Sequence, residues 1–579
     1  MTIHVDIRVP ATWRDRTTYS LAGIGDFSGV SLAERDSMAG VALGRLVYAP
    51  PEAISQSVED ADEGFVLRIP FLKGDDPPLP SPVSDVRACS WGHDTVQLSV
   101  RSPTIPLRDG IPLARWSRGG DPAIVLCRSG GQTVVDFSFD AISSFFEAIA
   151  QVHEHSVKER DKYDRPLQHL TFPIAEGSAL FPTATDSALL VEKAIGAACT
   201  NAGVFLLTKA AWPKGGRSVA CITHDVDSVR KWVPRRVVGR VITPASRGNF
   251  WRADGRLKQI LVSLAEIAGV RDPHRNLSGI RTFELKHGIK ATFFLQMVER
   301  PRRQEPLALY SHSNRYVRRE LAALNREGHE IALHSSYESG ADPTRLRDEV
   351  RRLQSSRSPS GSRQHYLRIH PGVWAELGSL GLQYDSSVGY SDFVGFRSGA
   401  CHPYRPFDDN ARREFSILEI PFCVMDSGLF QACGGSRSKM EGLLNALAES
   451  VEYRNGVLVS VWHNQYQDGS LLATGSVFEW FIGLLERKEW DFWTLERVAE
   501  WWNTRGAVEL SCQGGDMWNV VTQGDIDQLS LRCYGGTVGE VDGVPEDAVT
   551  ITPGNAFSLV TIRGLKAASP VAVHRRKAA

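Results

Sequence analysis

The sequence predicts an α/β protein: a distorted parallel (β/α)7-type barrel, an N-terminal α+β accessory domain and a small C-terminal β-sandwich. Three observations predict it. Four apolar runs between 219 and 464 each end abruptly in polar residues, as buried parallel strands do where they open into a site. They alternate with stretches of helical periodicity, the rhythm of a parallel sheet with helical crossovers. Beyond about 505 that periodicity stops, and short strands with glycine turns replace it.

At 579 residues the chain exceeds one core, since single cores stop growing near ~250–300 residues. It divides into an accessory region 1–210, a barrel 211–504 and a β-rich module with a basic tail, 505–579. A hydrophobic content of 42% and a charged content of 23% are those of an ordinary globular protein. The net charge of −1 provides no global basic field, which argues against nucleic acid as a partner. The local run RKWVPRRVVGR at 230–240 reads as a solvated face; the alternative is contact with an anionic glycan or a membrane surface. No apolar run reaches ~18 residues, so no transmembrane segment is expected. The opening MTIHVDIRVP lacks the basic and apolar parts of a secretory signal. Nine scattered cysteines without a CxxC pair fit reduced, buried thiols, and a cytoplasmic protein is the expectation.

In the first region, IHVDIRV and FVLRIPF alternate as strands do, with Pro-rich breaks at 76–82 and 103–112. IVLCRSG and QTVVDFSF form a predicted hairpin around Gly130-Gly131, and Phe139, Ile142, Phe145, Phe146, Ile149 and Val152 follow at helical spacing. Gly23, Gly25 and Gly29 have the wrong spacing for a dinucleotide loop and read as a plain turn. His153-x-His155 sits on a polar helix end, where solvation is the simpler reading.

The linker AWPKGGRS, 211–218, leads into the apolar run Val219–Thr223, which ends in His224, Asp225, Val226 and Asp227. A long basic excursion, 228–287, separates it from ATFFL at 291–295. EIALHSS at 330–336 follows, then Asp342-Pro343, a good cap and first turn for a helix. After a Ser-rich segment come HYLRI, YDSSVGY, the strand ILEIPFCVM, a helix, and VLVSVWHN at 457–464. The β-rich module after 505 is either a carbohydrate-binding unit or a packing appendage.

In α/β architectures, side chains just past the carboxyl ends of strands meet in one crevice. Asp225 and Asp227, two apart in extended chain, point the same way. Carboxylates and histidines delivered to one rim make a candidate metal site with an acid and a base.

HDVD, ATFF, His334 and Trp462-His463-Asn464, in this order and at strand ends, resemble the NodB-type polysaccharide deacetylases, carbohydrate esterase family 4. RQHYLR at 363–368, YDSSVGY and GFRSGACHPYRPFD at 395–408 are similar to a bacterial subgroup with an N-terminal accessory domain. The resemblance covers residues 215–500 or so, about half of the chain. It implies a divalent metal, zinc being the first choice, held by Asp227 and His334, with Asp225 as general base and His463 as general acid.

The third ligand departs from the family's His-x-x-x-His, because Glu338 stands where the second histidine would. Glu338 is the first candidate; His365, His370 or water are the alternatives. Either Arg363 or Arg368 would orient the base, and either Asp385 or Asp426 would hold His463 in one tautomer. Trp462, Asn464 and Tyr337 are the candidate substrate-binding residues.

The resemblance implies a hydrolase that removes acetyl groups from an acylated oligo- or polysaccharide, such as a surface-polysaccharide precursor. A second reading is a non-catalytic glycan-binding or scaffold protein on a decayed deacetylase fold. A third is a related C–N hydrolase of a small cyclic amide.

Overall fold

The structure, a computed structural model, describes residues 3–34, 43–54, 64–72, 85–91, 94–100, 107, 109–117, 119–155, 157–171, 179–229, 272, 274–299, 310–354, 360–370, 372–466 and 475–576. The Pro-rich run 76–82, the basic run 230–240 and most of the excursion after the first barrel strand lie outside them.

The first region forms a nine-stranded mixed sheet. Strands Leu32–Glu34, Ile3–Ile7, Gly44–Ala49, Phe65–Pro70 and Gln132–Phe137 lie side by side and parallel. Antiparallel pairing takes over from Pro122–Ser129 onward, through the hairpin at Gly130-Gly131. The parallel half gives the region an α/β character that the α+β reading missed. The reason is burial: all six residues of Phe65–Pro70 are buried, as parallel strands covered on both faces must be. Gly23 and Gly25 lie inside the helix Ala11–Ser28, so no dinucleotide loop exists there.

The middle region is organised by a curled parallel sheet. Its strands are β1 (Val219–Val226), β2 (Thr292–Leu295), β3 (Glu330–Ser335), β4 (Gly361–Gln364), β5 (Tyr384–Asp385), β6 (Leu418–Glu419), β7 (Val424–Met425), β8 (Val457–Val461) and, paired to β1 off the main path, β9 (Asp491–Phe492). The order is β6-β5-β4-β3-β2-β1-β8-β7. Its two edges, β6 and β7, are successive pieces of one segment. Ile420 N donates to Asp385 O and Cys423 N to Val459 O, so that segment touches β5 at one end and β8 at the other and the sheet curls back on itself. The helices between strands are capped by their sequence: Asp342 Oδ1 accepts from Thr344 N and Arg345 N, and Asn314 Oδ1 accepts from Tyr316 N.

Strand alternation sorts side chains into two layers. Ala220, Ile222, Phe293, Ile331, Leu333 and Leu458 join the outer core under the helices. Cys221, Phe294, Ala332, Val459 and Val461 point the other way, into the core that the sheet encloses. That inner cluster runs on through both flanking regions, from Phe145 and Phe205 to Leu529 and Val560.

The third region adds two four-stranded antiparallel sheets. One of them takes Leu206–Lys209, the last strand before the linker, paired with Ile526–Tyr534. All nine cysteines are buried, and none forms a disulfide. No helix among the described residues is long and apolar enough to cross a membrane.

The seam between accessory region and barrel is closely fitted. Gly395 has φ 137°, and a Cβ there would lie 2.0 Å from Ala179 O, so only glycine lets the two backbones approach. His402 is buried in the same seam, between Phe27 and Trp502, and its Nε2 donates to Asn455 O. Burial pushes its imidazole down to about 3; the Asn455 hydrogen bond opposes this, and Arg505, Arg532 and Arg454 reinforce it.

Below pH 6.5 the unfolded chain takes up a proton that the folded His402 refuses. Stability from this group is full above that pH and falls as pH drops toward the folded value. At pH 5 the loss amounts to about 2 kcal/mol. The urea midpoint of His402→Gln is therefore expected to move less between pH 7 and pH 5 than that of the wild type. Equal movement would refute the assignment.

Candidate metal and active site

The inner face of the curled sheet carries the chemistry to the carboxyl ends of its strands. β1 presents Thr223 and Asp225 on that face, and Asp227 follows just past its end. β3 contributes His334, paired in register with Arg363 of β4. His463 lies two residues beyond Val461, the last residue of β8.

Asp227 Oδ1 lies 3.2 Å from His334 Nε2 and 3.4 Å from His365 Nε2. One donor atom from each of the three residues falls within 4.8 Å of the others. His334 Nδ1 donates to Arg363 O at 2.9 Å. With that proton fixed, Nε2 turns its lone pair toward a carboxylate oxygen, which calls for a cation or a second proton between them. His365 Nδ1 faces the amide of Gln296 at 3.2 Å, and the buried Oε1 of that amide has no hydrogen-bond partner. Turning the amide over lets Oε1 accept from Nδ1–H, and His365 Nε2 then joins the same side of Asp227. Two imidazoles, one carboxylate and an outer hydrogen bond behind each ring fit a divalent cation of the zinc type.

The guanidinium of Arg363 is fully buried. It donates to Asp225 Oδ1 at 2.8 Å, to Thr223 Oγ1 at 2.8 Å and to Ser386 O at 2.7 Å. Burial works to raise the Asp225 carboxyl, but Arg363, then His334 and His463, outweigh it and hold it below its ordinary value. Asp227 is held well below the carboxylate range against burial, chiefly by His365 and His334. Burial works to lower His334, while Asp225 and Asp227 lift it.

His463 Nδ1 and backbone N both meet Asp426, at 2.7 Å each. Its Nε2 lies 3.6 Å from Asp227 Oδ2. Burial opposes protonation, but Asp426, then Asp227 and Asp225, lift the imidazole to about 10. Asp426 is thus the carboxylate beside His463. Asp385 instead accepts from Ser362 at 2.6 Å, away from that ring.

Several sequence candidates stand elsewhere. Glu338 turns away after β3 into a 3-10 turn and pairs with Arg345; His365 stands in the cluster instead. His370 is exposed and accepts from Gly372 N. Arg368 reaches Asp164 at 3.0 Å and stacks on Tyr337, so of the two arginines it is Arg363 that meets Asp225.

Trp462 is 1% exposed and packs on Phe478 and Phe481. It neighbours the inward His463 and therefore points to the helix side, so it is core and not a sugar-facing wall. Asn464 is fully buried and ties Ser228 O to His274 O through Nδ2, an anchoring role in place of substrate contact. Tyr337 is half-buried near Tyr366.

Sequence reasoning missed Gln296 and Gln465, whose Nε2 donates to Asp227 Oδ2 at 3.1 Å. The parity of β2, from Phe294 to Gln296, was the available signal for the first.

An α/β fold with three clustered donors that could hold a metal ion, beside a guanidinium-held carboxylate and a carboxylate-held imidazole, is the class of site this chain presents. No protein-family model matches the sequence, and no curated protein matches it. Among solved structures, it is similar to Agd3, described as a novel carbohydrate deacetylase, at 8% identity over 100% of this chain and 99% of that one, with a TM-score of 0.40. It is also similar to a protein assigned as a polysaccharide deacetylase from Mycobacterium smegmatis, at 17% identity over 52% of this chain and 94% of that one, TM-score 0.35. The PuuE allantoinase matches at 15% identity over 51% and 93%, TM-score 0.31. At such identities and TM-scores these likenesses decide nothing about chemistry; the residues at the site do.

Proposed function

We propose that the protein is a metal-dependent hydrolase that removes acetyl groups from an acylated sugar or surface-polysaccharide precursor. The observation that carries this reading is the meeting of Asp227, His334 and His365 within one donor cluster, beside Asp225 and His463. A zinc ion held by those three side chains would supply Lewis acidity, lowering the pKa of water and polarising the acyl carbonyl. Asp225 takes the proton of the attacking water. Arg363 keeps that carboxylate ionised and aimed. The imidazolium of His463, fixed through Nδ1 by Asp426, gives its Nε2 proton to the departing amine or alkoxide. Tyr337, half-buried beside Tyr366 near the cluster, is the proposed aromatic contact for a sugar ring.

The test is metal analysis of full-length protein purified without added ions, followed by acetate release from N- and O-acetylated oligosaccharides. Stoichiometric zinc that disappears in His334→Ala, together with zinc-dependent acetate release, is the expected result. A glycan-binding scaffold would bind the sugar, release no acetate and give the same zinc content in wild type and variant.

A further inference from the structure

The turn that carries His365 is held from outside the barrel. Tyr366 and Leu367, the two residues after His365, both have positive φ, 59° and 56°. This backbone region is costly for any residue with a Cβ, and doubly so for two in succession. Such a turn persists where its surroundings fix it, and here a loop of the accessory region does so.

Tyr163 stacks face to face on Tyr366, with ring centroids 4.0 Å apart and planes 20° from parallel. Arg165 Nη1 donates to Tyr366 O at 2.8 Å. A second strap runs two residues on, where Arg368 Nη2 meets Asp164 Oδ2 at 3.0 Å.

The loop is wired to hold its own shape. Asp161 accepts from the backbone N of Tyr163 and Arg165 at 2.8 and 3.0 Å and from Arg165 Nε at 2.8 Å. An isolated bridge between Arg160 and Pro166 closes its base. The region behind it is fixed to the barrel by Arg397 and Glu154. On the far side, the Tyr366 ring lies 4.4 Å from that of His365. The chain of contacts therefore runs from accessory loop to strained turn to third metal donor without a gap.

We infer that Tyr163 and Arg165 of the accessory region are positioning residues for the metal site, holding the 365–367 turn so that His365 completes the Asp227–His334 pair. This rests on the metal reading above. It gives the accessory region a task in the chemistry: without the loop the turn relaxes, and a three-donor site becomes a two-donor site. Arg165 and Tyr163 touch neither substrate nor metal. Their effect passes through Tyr366, by its carbonyl for Arg165 and by its ring for Tyr163.

Zinc affinity of the full-length protein, measured by competition with a chromophoric zinc chelator, tests this. Tyr163→Leu and Arg165→Gln are each expected to weaken zinc binding roughly 10–100-fold, the range seen when the support of a ligating histidine is removed. Tyr163→Phe, which keeps the stacked ring, is expected to bind zinc as the wild type does. Melting temperatures of Tyr163→Leu and Tyr163→Phe in excess chelator are expected to agree with that of the wild type, since Tyr163 is half-exposed on a loop. Wild-type zinc affinity in both Tyr163→Leu and Arg165→Gln would overturn the positioning role while leaving the metal site standing. So would equal weakening in Tyr163→Phe and Tyr163→Leu. A wild type that takes up no zinc would overturn the metal reading itself, and this inference with it.

Discussion

Asp225→Asn is expected to keep its zinc and to lose acetate release by about 10²–10⁴-fold, the contribution of a positioned acid–base group. The side chain keeps its volume, so the fully buried Arg363 beside it still has an oxygen to bond. Asparagine cannot take a proton from water, and that is the step lost. The donor cluster does not include Asp225, so metal content should be unchanged. Activity and zinc measured on the same preparation separate the two effects. Acetate release within a few-fold of wild type would remove Asp225 from the mechanism. Loss of zinc along with activity would make it a ligand in place of a base.

Arg397→Met should be strongly destabilising at the seam between accessory region and barrel. Arg397 and Glu154 meet in a two-pronged pair at 2.6 and 2.7 Å, and both are buried. Arg397 also donates to Gly389 O. Removing the guanidinium leaves the Glu154 carboxylate buried without its cation, at a cost of about 3–5 kcal/mol. Adding Glu154→Gln removes that charge, so the double variant should recover much of the loss. Urea midpoints of the wild type, both single variants and the double variant measure the coupling directly. A loss below about 1 kcal/mol in Arg397→Met would show that the pair is solvated in solution. The same seam carries the loop of Tyr163, so zinc affinity should fall in Arg397→Met as well.

Much of the site was legible because strand parity is a local rule. Asp225 and Asp227 share a face through spacing alone, and β3 and β8 end where their apolar runs end. The same rule, applied further, separates Trp462 from His463 and places His365 on the face of Arg363. Trp462 was misassigned because an aromatic next to a catalytic candidate attracts a functional reading, while its parity points to the helix layer. Glu338 was misassigned because sequence distance from His334 stood in for spatial distance. The chain leaves the strand at Ser335, and the ion pair with Arg345 draws Glu338 off the rim. The parallel half of the first sheet was not readable from alternation, since partner and direction are set by crossovers and not by the strand's own residues.

By itself the sequence determined the strand–helix rhythm and the carboxylates and histidines waiting at the strand ends. These follow from local periodicity and residue chemistry. Only the tertiary structure brought His365 beside Asp227 and His334, set Arg363 against Asp225 and packed the accessory loop on Tyr366. Each depends on segments from 69 to 201 residues apart being brought within a few ångströms, and in the case of His365 on a backbone turn that its own sequence does not favour.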